Sequence, residues 1–160
     1  MLDYSTKNGL GKPAISIYLS GCDKEEKCRG CHNSEMWDRF EKQLTEEDLN
    51  ELALYIDRIK DTNRDIRVAF LGGEPLAKKN RQKLKDLSIF IHRNYPNIIQ
   101  IVYSWRYPED IKEEWVEFIR YGVLGPFDIT DIDKNTLPAS KNQIIWDFKT
   151  KQQLNKIKLK

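Results

Sequence analysis

The chain holds three cysteines, Cys22, Cys28 and Cys31, and all of them fall within ten residues of one another. Thiolates are soft ligands, and a closed zinc or iron-sulfur site takes four ligands, so three sulfurs leave one coordination position to something other than cysteine. The run Ile15, Ser16, Ile17, Tyr18, Leu19, Ser20, Gly21 leads directly into Cys22, as a strand delivering a ligand loop would. Three thiolates can hold three irons of a 4Fe-4S cube and leave the fourth iron free to bind a substrate or cofactor. The alternative is a zinc site with His32 as fourth ligand. Cys31 and His32 are adjacent, and neighbouring side chains diverge, which makes joint ligation of one tetrahedral ion awkward. An odd count at tight spacing argues against a secreted disulfide framework and for metal or redox chemistry in a reducing compartment.

A second constellation is Gly72-Gly73-Glu74-Pro75. Paired glycines let the backbone approach a ligand closely and adopt conformations a β-carbon forbids, and Glu74 offers an acceptor to an ammonium group. The same four residues also read as an ordinary turn. Trp37 and Trp105 flank these segments and would exclude water or simply pack. Asp128, Asp131 and Asp133 lack the glycine and closing glutamate of a calcium loop. His92, in a helical stretch, reads as a surface or partly buried residue, and Trp115 and Phe118 read as core.

The elements that must position these residues alternate along the chain. Ala14 to Leu19 is a strand by its β-branched and aromatic content. Thr45, with Asp48 at the reciprocal position, opens a helix carrying Leu49, Leu52, Ile56 and Ile59 and running to about Lys60. Ile66 to Leu71 is a second strand, followed by a helix through Leu84, Leu87 and Ile91 that stops before Tyr95-Pro96. Ile98 to Ser104 is a third strand. Pro108 then opens a third helix with Ile111, Trp115, Phe118 and Ile119 on one face, terminated at Gly122. Short strands near Val123-Leu124 and from Gln143 to Phe148 complete the set. Alternation of this kind predicts an α/β fold with a mostly parallel sheet and right-handed crossovers. There are too few βα units to close a barrel, so a partial, laterally open (β/α) barrel is expected, with ligands at the C-terminal ends of its strands. The cysteine loop, the Gly72-Gly73 turn and Ser104 all fall at those ends.

At 160 residues, with 39% hydrophobic and 32% charged residues, the chain reads as one globular domain over residues 1–148, followed by a tail at 149–160. The tail carries five lysines and no acid, and is expected to be solvated. No apolar run approaches the roughly 20 residues needed to span a bilayer, and the first residues lack the pattern of a secretory signal, so a cytoplasmic protein without a membrane partner is expected. A net charge of +2 gives no reason to expect nucleic acid.

Further segments fit one pattern in order. Asn8-Gly9-Leu10-Gly11 precedes the first strand, and Leu19-Ser20-Gly21-Cys22 and Cys28-Arg29-Gly30-Cys31-His32-Asn33 follow it, with Trp37 beyond. Then come Gly72-Gly73-Glu74-Pro75-Leu76, Tyr103-Ser104, Leu124-Gly125-Pro126-Phe127, and Ser140-Lys141-Asn142-Gln143-Ile144-Ile145. Together they resemble the radical S-adenosylmethionine (SAM) superfamily, and within it the family of activating proteins of anaerobic ribonucleoside-triphosphate reductases, which are glycyl-radical-enzyme activases. The resemblance implies that Cys22, Cys28 and Cys31 ligate a 4Fe-4S cluster whose open iron is chelated by the amino and carboxylate groups of SAM. One-electron reduction would then release methionine and a 5′-deoxyadenosyl radical, which takes a hydrogen atom from a glycine of the partner reductase. It also implies that Gly30, His32 and Asn33 flank the cluster and cofactor, that Gly72, Gly73 and Glu74 hold the methionine amino end, that Ser104 contacts the ribose, and that the backbone at Leu124 and Gly125 shelves the adenine. No side-chain base is needed beyond cluster and SAM. The implied partners are the anaerobic reductase and an electron donor such as flavodoxin.

Three departures stand out. Five residues, Asp23 to Lys27, separate the first two cysteines where the family has three, and the longer loop is expected to bulge into solvent. Leu71 replaces a usual Ser or Thr, and Trp105 replaces a usual glycine. With no further cysteines, no auxiliary cluster is expected. Another small radical SAM enzyme, such as a carboxy-deazaguanine synthase, is a second reading that Asn8 to Gly11 and Asn142 to Ile145 argue against. A non-catalytic zinc or iron-sulfur module is a third.

Overall fold

The computed structural model describes residues 2–40 and 42–159. Its centre is a seven-stranded sheet in the order β1-β2-β3-β4-β5-β7-β8. The strands are β1 (Leu2–Ser5), β2 (Ala14–Leu19), β3 (Arg67–Gly72), β4 (Gln100–Ser104), β5 (Tyr121–Leu124), β7 (Ile144–Asp147) and β8 (Gln152–Leu154). A separate ribbon pairs β6 (Thr136–Leu137) with β9 (Ile157–Lys158). β2, β3, β4 and β5 run parallel. β1, β7 and β8 add antiparallel pairings at the two flanks.

Two helices cross between the parallel strands. α1 (Glu46–Thr62) opens with the expected capping box: the Asp48 amide donates to Thr45 Oγ1 at 3.2 Å, and the Thr45 amide donates to Asp48 Oδ2 at 3.0 Å. α2 is Arg81–Asn94 and ends before Tyr95-Pro96. Both helices pack on the same face of the sheet, and alternate side chains of each strand meet them. Ile15, Ile17, Leu19, Val68, Phe70, Val102 and Leu124 point to the helices and bury Leu52, Ile56, Leu84, Leu87 and Ile91. On the other face, Leu10 packs with Ile101, Val123 and Ile145. The small side chains of Ser16 and Ala69 also alternate toward that second face and leave space above it.

The third predicted helix does not form. The segment after β4 makes two short 3-10 turns, Pro108–Asp110 and Glu114–Phe118, and Gly122 lies inside β5 instead of ending a helix. The buried pair here is Val116 and Ile119, three residues apart, which suits the three-residue repeat of a 3-10 turn. The Tyr107 amide donates to Asp110 Oδ2 at 3.1 Å and the Asp110 amide to the Tyr107 carbonyl at 2.9 Å, which closes the first turn at once, and Ile111 is already extended.

Residues 149–160, expected as a solvated tail, contribute β8 and β9 and stay exposed over 149–155; Lys160 itself lies outside the described residues. Among the described residues no helix is long and apolar enough to cross a membrane.

Candidate functional site

The register of the parallel strands lines up the segments that carry chemistry. Leu19 pairs with Gly72, and Ser104 with Leu124. β3 and β4 pair Phe70 with Val102, which puts Gly72 level with Ser104 two residues on. Antiparallel β7 pairs Ile144 with Leu124 and so brings Gln143 to the same edge, where its Nε2 donates to the Gly125 carbonyl at 3.2 Å. A cavity of about 320 Å³ opens at this edge, on the face away from the helices.

Cys22, Cys28 and Cys31 all line that cavity, all three are free and all are half-buried. Burial pushes the Cys22 and Cys28 thiols above their usual range; the backbone N–H of Lys24 opposes this at Cys22, and that of Phe127 at Cys28, each through a hydrogen bond to sulfur. Such N–H donors are what a sulfur ligand of an iron-sulfur cluster takes from its surroundings. Among the described residues, no group of three His, Cys, Asp or Glu side chains is placed to hold a single metal ion. Thiolates of a cubane sit on separate irons and so stand further apart than ligands sharing one ion. The donor set, three sulfurs around one cavity with N–H groups beside two of them, therefore fits a three-cysteine cluster.

His32, Asn33, Gly72, Gly73, Glu74, Ser104 and Gly125 also line the cavity. Gly30 does not; its backbone is left-handed (φ +69°) and a β-carbon there would collide with Ile129. The exposed His32 ring packs on Phe127, with centroids 5.0 Å apart. The two glycines of the turn make their close approach to protein. The Gly73 amide donates to the Leu19 carbonyl at 2.9 Å and the Glu74 amide to the Gly21 carbonyl at 2.6 Å, so the turn is tied to the strand end that delivers Cys22.

Glu74 is fully buried. Its Oε1 accepts from the Leu76 amide (3.0 Å) and from Ser104 Oγ (2.7 Å) and faces Arg106 Nη1 (3.3 Å), while Oε2 accepts from the Trp105 amide (3.0 Å). Burial pushes its carboxyl up, and Arg106, Ser104 and the two amides pull the other way. Ser104 is thus engaged with the carboxylate, and its Oγ accepts from the Arg106 amide at 3.1 Å.

Arg106 and Asn80 carry no sequence signal of their own. Arg106 bridges Glu74 and Asp23. Asn80 sends both Nδ2 hydrogens to the site's backbone, to Ser20 O at 2.8 Å and Glu74 O at 3.0 Å. Tyr103 donates to the Asn8 carbonyl at 2.7 Å and holds the segment that roofs the cavity beside Lys7 and Leu10. Arg106 stands next to Trp105, which the sequence singled out as a departure and as a residue flanking the site, and Asn80 lies in the turn before α2, where an asparagine reads as punctuation. The charged loop after Cys22, expected to bulge into solvent, exposes Glu25 and Glu26, while Asp23 is tied back to Arg106.

A family described as the 4Fe-4S single cluster domain matches residues 7–146. The chain is also similar to the anaerobic ribonucleoside-triphosphate reductase-activating protein of Enterobacteria phage T4, with 26% identity over 141 residues, covering 87% of this chain and 86% of that protein. No solved structure matches.

Proposed function

This chain belongs to the 4Fe-4S single cluster domain family, and on that premise we propose that it is a radical SAM activase that installs a glycyl radical in an anaerobic ribonucleoside-triphosphate reductase. The observation carrying the proposal is convergence: three free cysteines, the Gly72-Gly73-Glu74 turn and the end of β4 meet around one cavity at the C-terminal edge of a parallel sheet. The four parallel strands with helices on one face support the partial-barrel reading. Similarity to the phage T4 activating protein supports the choice of partner.

Cys22, Cys28 and Cys31 would hold the cluster, with the Lys24 and Phe127 amides hydrogen-bonded to two of the sulfurs. Cluster and SAM, when bound, supply one-electron cleavage of the sulfonium and with it hydrogen-atom abstraction from the partner's glycine. The chain's own residues bind, orient and keep water out. Glu74 Oε2 takes one protein donor and retains acceptor capacity for the methionine ammonium group. The Gly125 amide donates to the Ser104 and Arg106 carbonyls, both at 3.0 Å, which holds the β5 end rigid as a shelf for the adenine. Leu10, Leu71, Val123 and Phe127 give the cavity apolar walls that exclude water. Electrons would come from a small reductant such as flavodoxin.

The test is electron paramagnetic resonance of anaerobically reconstituted, reduced protein with and without SAM, followed by assay of 5′-deoxyadenosine and of a glycyl radical on the reductase. The expected result is a reduced 4Fe-4S signal that changes on adding SAM and is lost in C22A, C28A and C31A alike. Zinc in place of iron, or a cluster signal indifferent to SAM, would overturn the proposal in favour of a non-catalytic module.

A further inference from the structure

Two of the departures near the site, the enlarged cysteine loop and Trp105 just after β4, touch each other, with Arg106 beside them. Asp23, the first residue of the enlarged loop, accepts from Trp105 Nε1 at 3.2 Å, from Arg106 Nη1 at 3.2 Å and from Arg106 Nη2 at 2.5 Å. The guanidinium also stacks over the Trp105 ring, 4.5 Å from its centroid. The same Nη1 that donates to Asp23 also lies 3.3 Å from Glu74 Oε1. The Arg106 side chain is 8% exposed and that of Glu74 1%, whereas Asp23 at 30% forms the outer end of the row.

We infer that Arg106 is a positioning residue: by holding Asp23 and Glu74 at once, it sets the separation between the cysteine loop and the turn proposed to bind the methionine end of SAM. The purpose of this clamp rests on the proposed function; its geometry does not. Cys22 lies between two fixed points, Gly21 bonded through its carbonyl to the Glu74 amide and Asp23 bonded to the guanidinium. The guanidinium fork suits this work because it engages one carboxylate in a bidentate manner and still offers a hydrogen to a second, which a lysine ammonium does less well. Without it, two carboxylates would face each other across a buried volume and repel. The longer loop therefore carries its own anchor at the point where the additional chain begins.

The experiment uses the full chain with R106Q, D23N and the double variant, and R120Q as a control that breaks a distant ion pair. In metal-free protein, trypsin cleavage after Lys24 and Lys27 should be about tenfold faster in R106Q and D23N than in wild type or R120Q, because the loop opens more often once its anchor is lost. In reconstituted protein, R106Q and D23N should weaken SAM binding by about tenfold at unchanged iron per chain, and the double variant should lose no more than the worse single one, since the two residues act as a pair. R120Q should lower Tm without changing SAM affinity. D23N changes the partly exposed end of the row and keeps the test open if R106Q does not fold. Cleavage at the wild-type rate, or faster cleavage with undiminished SAM affinity, overturns the inference. A wild-type protein that takes up a cluster but ignores SAM overturns the proposed function instead, and proteolysis still decides whether the clamp exists.

Discussion

A β-carbon on Gly73 would stand 2.3 Å from the Gly21 carbonyl oxygen, well inside any contact real atoms make. Gly72 is likewise constrained, with φ +119° and a would-be β-carbon 2.7 Å from the Leu19 carbonyl oxygen. The two glycines let the turn after β3 lie against the strand end that leads to Cys22. G73A should destabilise the fold by about 1–3 kcal/mol, the usual range for overpacking, as a lower denaturation midpoint. Because the displaced backbone is the one preceding Cys22, the same variant should also take up less iron on reconstitution. Full iron uptake with lowered stability would separate the turn from the cysteine loop and defeat the second half of the prediction. The need for glycines at this place was legible in the sequence, but what they approach was not. A Gly-Gly pair signals close contact without saying whether the neighbour is a ligand or a carbonyl group of the chain itself, and Gly21 lies 52 residues before Gly73 along the chain. Arg106 shows the same limit: nothing local distinguishes a buried arginine between two carboxylates from a surface one.

The strands and helices with a strong period were legible. β2 spans Ala14–Leu19, the bounds expected for it, and Thr45 and Asp48 form the capping box their spacing announces. T45A should therefore cost about 1 kcal/mol, measurable by denaturant titration of the metal-free protein. The segment from Pro108 misled because its apolar spacing suits a helix, whereas the residues it buries, Val116 and Ile119, satisfy a shorter repeat. β1 escaped notice because Leu2–Ser5 is a short antiparallel flank with two exposed residues and little apolar pattern. At the opposite flank, buried Asp147 on β7 accepts from Arg120 Nε and Nη2, both at 3.1 Å, and from the Lys149 and Thr150 amides. Burial raises its carboxyl, but the Arg120 hydrogen bonds and charge and the two amides outweigh this and hold it below its usual value of 3.8. A carboxylate with a depressed folded value contributes stability above its unfolded value and loses it as the pH falls through the folded one. The Tm gap between wild type and D147N, in metal-free protein, should thus be full near neutrality and shrink below about pH 4. A gap independent of pH would mean that the packing of this side chain matters and its charge does not.

At the scale of the molecule, the cavity is walled from both ends of the chain. Cys22, Cys28 and Cys31 form one side, while Leu137, Pro138 and Ala139 form another. That second wall is held by the last residues: β9 pairs with β6, Lys156 Nζ donates to the Ser140 carbonyl at 3.0 Å, and the Leu159 amide donates to Asn135 O at 2.6 Å. Ile157 packs against the cluster of Leu10, Ile101, Val123 and Ile145 that floors the same face. Composition pointed to a solvated tail because lysines dominate it, yet Ile157 and Leu159 alternate with Lys158 as a short strand requires, and Lys156 spends its charge on a backbone carbonyl. Ending the chain after Asn155 should leave the helix-facing core intact, since none of its members lies beyond Phe148. Iron uptake should accordingly match that of the full chain, because the cysteine wall stands on β2, β3 and the turn between β3 and α2. SAM affinity should fall by about tenfold, as an unpinned wall binds only in the fraction of time it is formed. Isothermal titration of the reconstituted full-length and shortened proteins separates the cases. Equal affinities would mean that the Thr136 to Ala139 wall holds itself in place, whereas a joint loss of iron and SAM binding would mean that the closing ribbon supports the whole site.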